Sequence, residues 1–380
     1  MPDKDINRRK FIKLAAMGTG VAGLGTAAPA AILNDGSGKP PKLSDHEALA
    51  YEKLDAKRIR CTLCPRECEV ADRERGYCGV RENRGGTYKT LVYSRPCAVH
   101  IDPIEKKPLF HFLPGERALS IATAGCNVEC QFCQNWRISQ FRPEQVDSVY
   151  APPKEIARAA AESQSKAIAY TYSEPVIFYE YALDCAREGN KKGVKSVFIS
   201  NGYINPDPMR ELCKELSAVK VDLKAFTESF YEKYVRGELD PVLRTLELLA
   251  EQGMHTEIVV LLIPGLNDGP DEIRDMSAWI KKNLGPDVPL HFTRFYPTYR
   301  MKNLSKTPIS TLEKAREVAV AEGLNFVYVG NAPGHKYEST YCPGCEERII
   351  YRYGHKILKN RVSGGKCENC GTEIPGVWTS

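Results

Sequence analysis

The sequence predicts an α/β chain built on parallel strands, with a small cysteine-rich segment ahead of it and a four-cysteine module behind it. Three observations carry this reading. From about residue 117, short β-rich runs alternate with amphipathic helical ones. Hydrophobic residues make up 42% of the 380, enough for a large core with smaller modules attached. The 14 cysteines are clustered, and only Cys185 and Cys213 stand alone within helical stretches, where a small buried hydrophobe is the expected role.

The strand candidates are Ala118–Thr123, Ala167–Tyr172, Lys195–Ser200, Val219–Leu223, Glu257–Ile263 and Leu290–Thr293. Helical stretches follow each in turn: Pro153–Ser163, Val176–Glu188, Asp207–Leu216, Pro241–Gln252, Asp271–Asn283 and Ser310–Glu322. Six βα units in series mean parallel strands with right-handed crossovers. An open doubly wound sheet and a partial barrel both satisfy that periodicity.

Ahead of this body, Asn7-Arg8-Arg9-Lys10-Phe11-Ile12-Lys13 precedes a mild apolar run from Leu14 to Leu24, and Ala28-Pro29-Ala30 offers a small-residue cleavage site. Residues 1–30 resemble a twin-arginine signal, so export to the periplasm or beyond is expected, with the cytoplasm as the alternative. Residues 31–57, with Gly36-Ser37-Gly38-Lys39-Pro40-Pro41, read as a linker. No other apolar stretch approaches the ~20 residues needed to span a bilayer. A formal charge of +5 with no Lys/Arg block gives no support for a nucleic-acid partner. The 27% of charged residues, nearly balanced in sign, argues against a disordered chain.

In βα architectures the functional groups lie at the carboxyl ends of the strands. The first strand here runs into Gly125-Cys126, the second into Tyr172-Ser173-Glu174-Pro175 and the third into Ser200-Asn201-Gly202-Tyr203. The fourth ends at Asp222-Leu223-Lys224, the fifth at Pro264-Gly265-Leu266-Asn267-Asp268 and the sixth at Arg294-Phe295-Tyr296-Pro297.

Cys126, Cys130 and Cys133 stand in a C-x3-C-x2-C pattern. Three thiolates this close can hold three corners of a [4Fe-4S] cube from one loop and leave the fourth iron open, as a catalytic metal centre requires. A zinc site and a chance cluster of cysteines are the competing readings. With Phe132 before the last cysteine, the motif resembles the signature of the radical S-adenosylmethionine (SAM) superfamily. Cys61-x-x-Cys64-Pro65-x-x-Cys68, Gly76-Tyr77-Cys78-Gly79-Val80-Arg81 and the stretch Asp102-Pro103-Ile104-Glu105-Lys106-Lys107-Pro108-Leu109-Phe110-His111-Phe112 followed by Pro114-Gly115 resemble the AmmeMemoRadiSam system enzymes, relatives of the pyruvate formate-lyase activating enzymes. Tyr328-Val329-Gly330-Asn331 and Cys342-Pro343-x-Cys345 fit the same group.

That resemblance spans about residues 58–378 and implies a partial (βα)6 radical SAM barrel over 116–333. It implies a [4Fe-4S] cluster on Cys126, Cys130 and Cys133, with SAM chelating the open iron and being cleaved to a 5′-deoxyadenosyl radical. It also implies an electron donor of the flavodoxin or ferredoxin type, a protein or small-molecule substrate, and the partner proteins of the AmmeMemoRadiSam system. Carried over by position, Ser173 and Glu174 face the SAM amino group, in place of the Gly-Gly-Glu of relatives. Ser200 and Asn201 face its ribose or carboxylate, and Asp222 and Lys224 its carboxylate; an ordinary ion pair is the plainer reading of the last two. Arg294 is a weaker candidate for a substrate anion, and His291 reads as readily as a core histidine.

Two further cysteine sets remain. Cys61, Cys64, Cys68 and Cys78 lie in a 58–115 segment too poor in apolar residues to fold alone, so a metal is expected there, zinc or a second iron–sulfur cluster. Cys97 could substitute for one ligand or be free. Within residues 334–380, Cys342, Cys345, Cys367 and Cys370 form two knuckles 21 residues apart, a zinc-ribbon layout, with disulfides or a rubredoxin-like iron site as alternatives. Because Gly330-Asn331-Ala332-Pro333-Gly334 leads straight into it from the last strand, this module is expected beside the carboxyl-end rim. An activase that installs a glycyl radical and a metal-binding or electron-transfer scaffold without SAM chemistry are the alternative functions.

Overall fold

Residues 43–379 are described by a computed structural model. The expected export signal and the first part of the linker lie outside the described residues. The principal strands are β1 (Ala98–Pro103), β2 (Arg117–Ala122), β3 (Ala167–Tyr170), β4 (Lys195–Ser200), β5 (Ala218–Asp222), β6 (Thr256–Leu262), β7 (Leu290–Arg294) and β8 (Val327–Gly330). The longer helices among the described residues are α1 (Pro153–Glu162), α2 (Tyr179–Asn190), α3 (Pro206–Cys213), α4 (Asp240–Glu251), α5 (Pro270–Leu284) and α6 (Ile309–Ala321). The six expected βα units are present, and β1 and β8 flank them along the chain, so the strands begin ahead of residue 116.

The chain divides into two compact units. One comprises residues up to 102 with 117–129 and 133–217; the other comprises 103–116, 130–132 and 218 onward. In the first, β3 pairs in parallel with both β2 and β4, with Ala167 opposite Ala118 and Lys195. In the second, β6 pairs in parallel with β5 and β7, and β7 with β8. The Ala-Ile-Ala-Tyr run of β3 is buried throughout and β4 is buried but for its first residue, the continuous apolar pattern of strands covered on both faces. Helices α1, α3, α4 and α5 each carry Pro in the first turn, where its missing N–H costs nothing.

The first unit also carries the cysteine-rich segment, and here the linker expectation is corrected. His46–Glu47 pairs with Thr87–Thr90, and Tyr51–Lys53 pairs with Ile59–Cys61. The first of these polar strands gains its order from backbone pairing with residues far along the chain, the second from pairing with the next strand.

In the second unit, Thr340–Tyr341, Arg348–Tyr353 and Lys356–Asn360 form an antiparallel sheet. Its core joins Ile349, Ile350 and Ile374 to Phe110, Phe326 and Tyr328. Tyr328 is the second residue of β8, and its hydroxyl lies 3.0 Å from Thr340 Oγ1. The module therefore packs at the amino-terminal end of β8, not beside the carboxyl-end rim. The physical reason is that residues 331–339 turn the chain back along the strand it has just left. No helix among the described residues is long and apolar enough to cross a membrane.

Candidate functional site

The loop after β2 is shaped by Gly125, whose φ of +99° favours glycine. A Cβ there would meet Val80 Cγ1 at 2.5 Å and the Cys78 carbonyl oxygen at 3.0 Å, so a side chain has no room. Gly125 N–H donates to Ile138 O at 2.8 Å, and Cys133 Sγ lies 3.1 Å from Ser139 Oγ. Asn127, one residue past Cys126, is buried; its Nδ2 donates to Tyr203 O at 2.7 Å, and its Oδ1 accepts from Asn201 Nδ2 at 2.9 Å. In the second unit Cys130 is buried. The next residue, Gln131, donates from its backbone N–H to Tyr234 O and from Nε2 to Lys233 O, both at 2.9 Å. The Phe132 ring meets Phe230 at 5.9 Å, which gives the aromatic residue of the motif a packing role.

The residues assigned to SAM in the first unit come together. Glu174 is buried at the end of β3, where Oε1 accepts from Ser200 Oγ at 2.6 Å and from Val176 N–H at 3.2 Å. Its Oε2 accepts from Asn201 N–H at 2.8 Å, and Ser173 Oγ donates to Thr123 O at 2.7 Å. One carboxylate thus fastens the β4 end to the β3 end. Tyr172, just before this pair, holds a left-handed φ of +67°, and its hydroxyl bonds Asp102, which also accepts from Ser120 Oγ at 3.0 Å. Sequence reasoning passed over Asn127 and the Tyr172–Asp102 pair. Their only signal was position, beside a cysteine and at a strand end.

In the second unit, Asp222 Oδ2 lies 3.0 Å from Lys224 Nζ, and Oδ1 pairs with Lys220. Burial works against ionised Asp222, but the two lysines outweigh it and hold its carboxyl at about 2. Burial likewise opposes the Lys224 cation, yet Asp222 and the Cys130 thiol raise its pKa above the usual lysine value. Lys224 is thus held in an ion pair with Asp222. Arg294 donates from Nε to Thr307 O at 2.6 Å, while His291 is buried with Nε2 2.7 Å from Glu257 Oε2, the position of a core histidine.

Cys342, Cys345, Cys367 and Cys370 bring their sulfurs within 4.8 Å of one another, 3.5 Å for Cys342–Cys370 and 3.9 Å for Cys345–Cys367. Four thiols in that arrangement suit zinc or iron. Cys61, Cys64, Cys68 and Cys78 line one cavity. Cys97 does not belong with them. It packs with Ala98, Ala122 and Ile138, and burial pushes its thiol up to about 12.

Residues 120–279 match the family model described as the radical SAM superfamily. An uncharacterized protein of Methanocaldococcus jannaschii is 42% identical over 330 residues, covering 86% of this chain and 98% of its own. A second from the same organism is 25% identical over 286 residues, covering 70% and 76%. Among solved structures, a domain of pyruvate-formate lyase-activating enzyme from Bacteroides vulgatus aligns at 13% identity with a TM-score of 0.39, over 43% of this chain and 97% of that one.

Proposed function

Because this chain belongs to the radical SAM superfamily, we propose that it binds a [4Fe-4S] cluster on Cys126, Cys130 and Cys133 and cleaves SAM reductively, directing the radical at a protein or small-molecule substrate. When bound, the cluster and SAM supply the electron and the hydrogen-abstracting radical. The donor set fits: three cysteines on one loop, one buried and two half-buried. The observation that carries the reading is the buried set Glu174, Ser200, Asn201 and Asn127, joined by hydrogen bonds next to Cys126. Their mutual hydrogen bonds offset the cost of burial, and a few convergent polar groups at strand ends are the usual make-up of a ligand site.

Glu174 holds the β4 end in place and keeps a carboxylate toward the amino group of SAM. Ser200 and Asn201 orient its ribose or carboxylate. Lys224, kept charged by Asp222, is the cation for a carboxylate. A reduced flavodoxin- or ferredoxin-type donor supplies the electron, and the chain works within the AmmeMemoRadiSam system. The four C-terminal cysteines bind a structural zinc, since four thiolates leave no open position.

Anaerobic incubation with SAM and dithionite, followed by assay for 5′-deoxyadenosine, tests the reading. The wild type should form it, and Cys130→Ala should not. Equal production by that variant would overturn the assignment.

A further inference from the structure

Cys61, Cys64, Cys68, Cys78, Arg81 and Tyr88 line one cavity. It is built to face sulfur. The backbone N–H of Tyr77 donates to Cys68 Sγ at 3.4 Å. Gly76 forms part of the wall, and a Cβ there would meet Tyr88 Oη at 2.5 Å. Arg81, buried and clamped by Glu180 at 3.0 and 2.5 Å, sets a cation beside Cys61 and Cys78.

The two four-cysteine sets are placed differently. A zinc tetrahedron with bonds of about 2.3 Å puts its sulfurs about 3.8 Å apart. The C-terminal set has that spacing, at 3.5 and 3.9 Å. Its four ligating atoms all lie within 4.8 Å of one another. The cysteines of the Cys61 set line a cavity. A [4Fe-4S] cube bonds each thiolate to a different iron, holding the four apart and filling the space between them.

We propose that Cys61, Cys64, Cys68 and Cys78 bind a second iron–sulfur cluster, a four-cysteine [4Fe-4S] centre distinct from the one assigned to Cys126, Cys130 and Cys133. Its four protein ligands leave no iron open, so its chemistry is one-electron exchange, with a reduced ferredoxin- or flavodoxin-type protein as the reductant. The cavity is continuous with the loop after β2. Asn127 is part of its lining, and Arg66 Nε donates to Asn127 O at 2.9 Å. Binding at this site does not depend on the proposed SAM reaction.

The test uses the full chain with Cys126, Cys130 and Cys133 all changed to Ala, reconstituted anaerobically with iron and sulfide. About four irons and four sulfides per chain should remain, with an electron paramagnetic resonance signal on dithionite reduction. Zinc at this set with no iron would overturn the proposal. Should the triple variant not fold, changing Cys61, Cys64, Cys68 and Cys78 together to Ala in the otherwise native chain should lower the iron content from about eight to about four per chain. An unchanged iron content in that variant would equally overturn it. A protein that retains this cluster yet forms no 5′-deoxyadenosine when fully loaded would refute the proposed function and leave this inference standing.

Discussion

Glu174 accepts the backbone N–H of Asn201 at 2.8 Å, so a side chain at the end of β3 sets the conformation of the chain leaving β4. The same carboxylate caps Val176 and holds Ser200. It is at once a structural clamp and a group facing the proposed SAM site.

Glu174→Ala should therefore weaken SAM binding at least about tenfold, since a hydrogen bond to a charged group contributes about 1.5–3 kcal/mol. Iron content should not change, because the residue is not a ligand. SAM titration followed at the cluster absorbance, alongside iron analysis, checks both. Unchanged affinity would reduce Glu174 to a cap for Val176.

Glu105 gives the stability a pH dependence of its own. Burial raises its carboxyl to about 7, with Arg352 opposing, and Oε2 has no hydrogen-bond partner among the described residues. Below about pH 4.5 the group is protonated in both folded and unfolded chains. Between there and pH 7 the unfolded chain releases its proton first, so stability falls as pH rises. Glu105→Gln removes that loss. Urea midpoints should show the variant more stable by about 1–3 kcal/mol at pH 8 and nearly equal at pH 4.5. Equal stability at pH 8 would show that Arg352 already neutralises the carboxylate.

Cys345→Ser should cost one zinc per chain, roughly tenfold or more in zinc affinity, and the hydrogen-exchange protection of Arg348–Asn360. The sheet there shares its core with Phe326 and Tyr328, so β8 should lose protection as well. Metal analysis with exchange mass spectrometry reads both, and an unchanged zinc content would remove the metal from this module.

Arg8→Lys together with Arg9→Lys should abolish export, because the pair is proposed to be read by a receptor. Cell fractionation and the mass of the amino-terminal peptide decide it. Wild-type protein found wholly in the cytoplasm with residues 1–30 intact would end the export proposal.

Legibility in the sequence followed the locality of the signal. Lys195–Ser200 was read to both ends because six residues of β-rich sequence between helical runs need no outside information. β1 was missed because Ala98–Pro103 carries His100 and Asp102, which look like loop residues. Both are buried, and Asp102 is met by Tyr172 and Ser120. The strands at 46–47 and 51–53 hid for a related reason: their order comes from pairing with Thr87–Thr90 and Ile59–Cys61.

By itself the sequence determined the βα succession, the strand-end location of Glu174, Asn201 and Lys224, and the grouping of cysteines into three sets, since each is a matter of spacing along the chain. Only the tertiary structure decided that the C-terminal module packs at the amino-terminal end of β8, that Cys97 is core, and that Glu174 clasps Asn201. It also separated the tightly gathered sulfurs of Cys342, Cys345, Cys367 and Cys370 from the thiols of Cys61, Cys64, Cys68 and Cys78 ranged around a cavity. A C-x-x-C spacing states that two thiols are close. How far they stand from the other pair is fixed by the packing of residues many positions away.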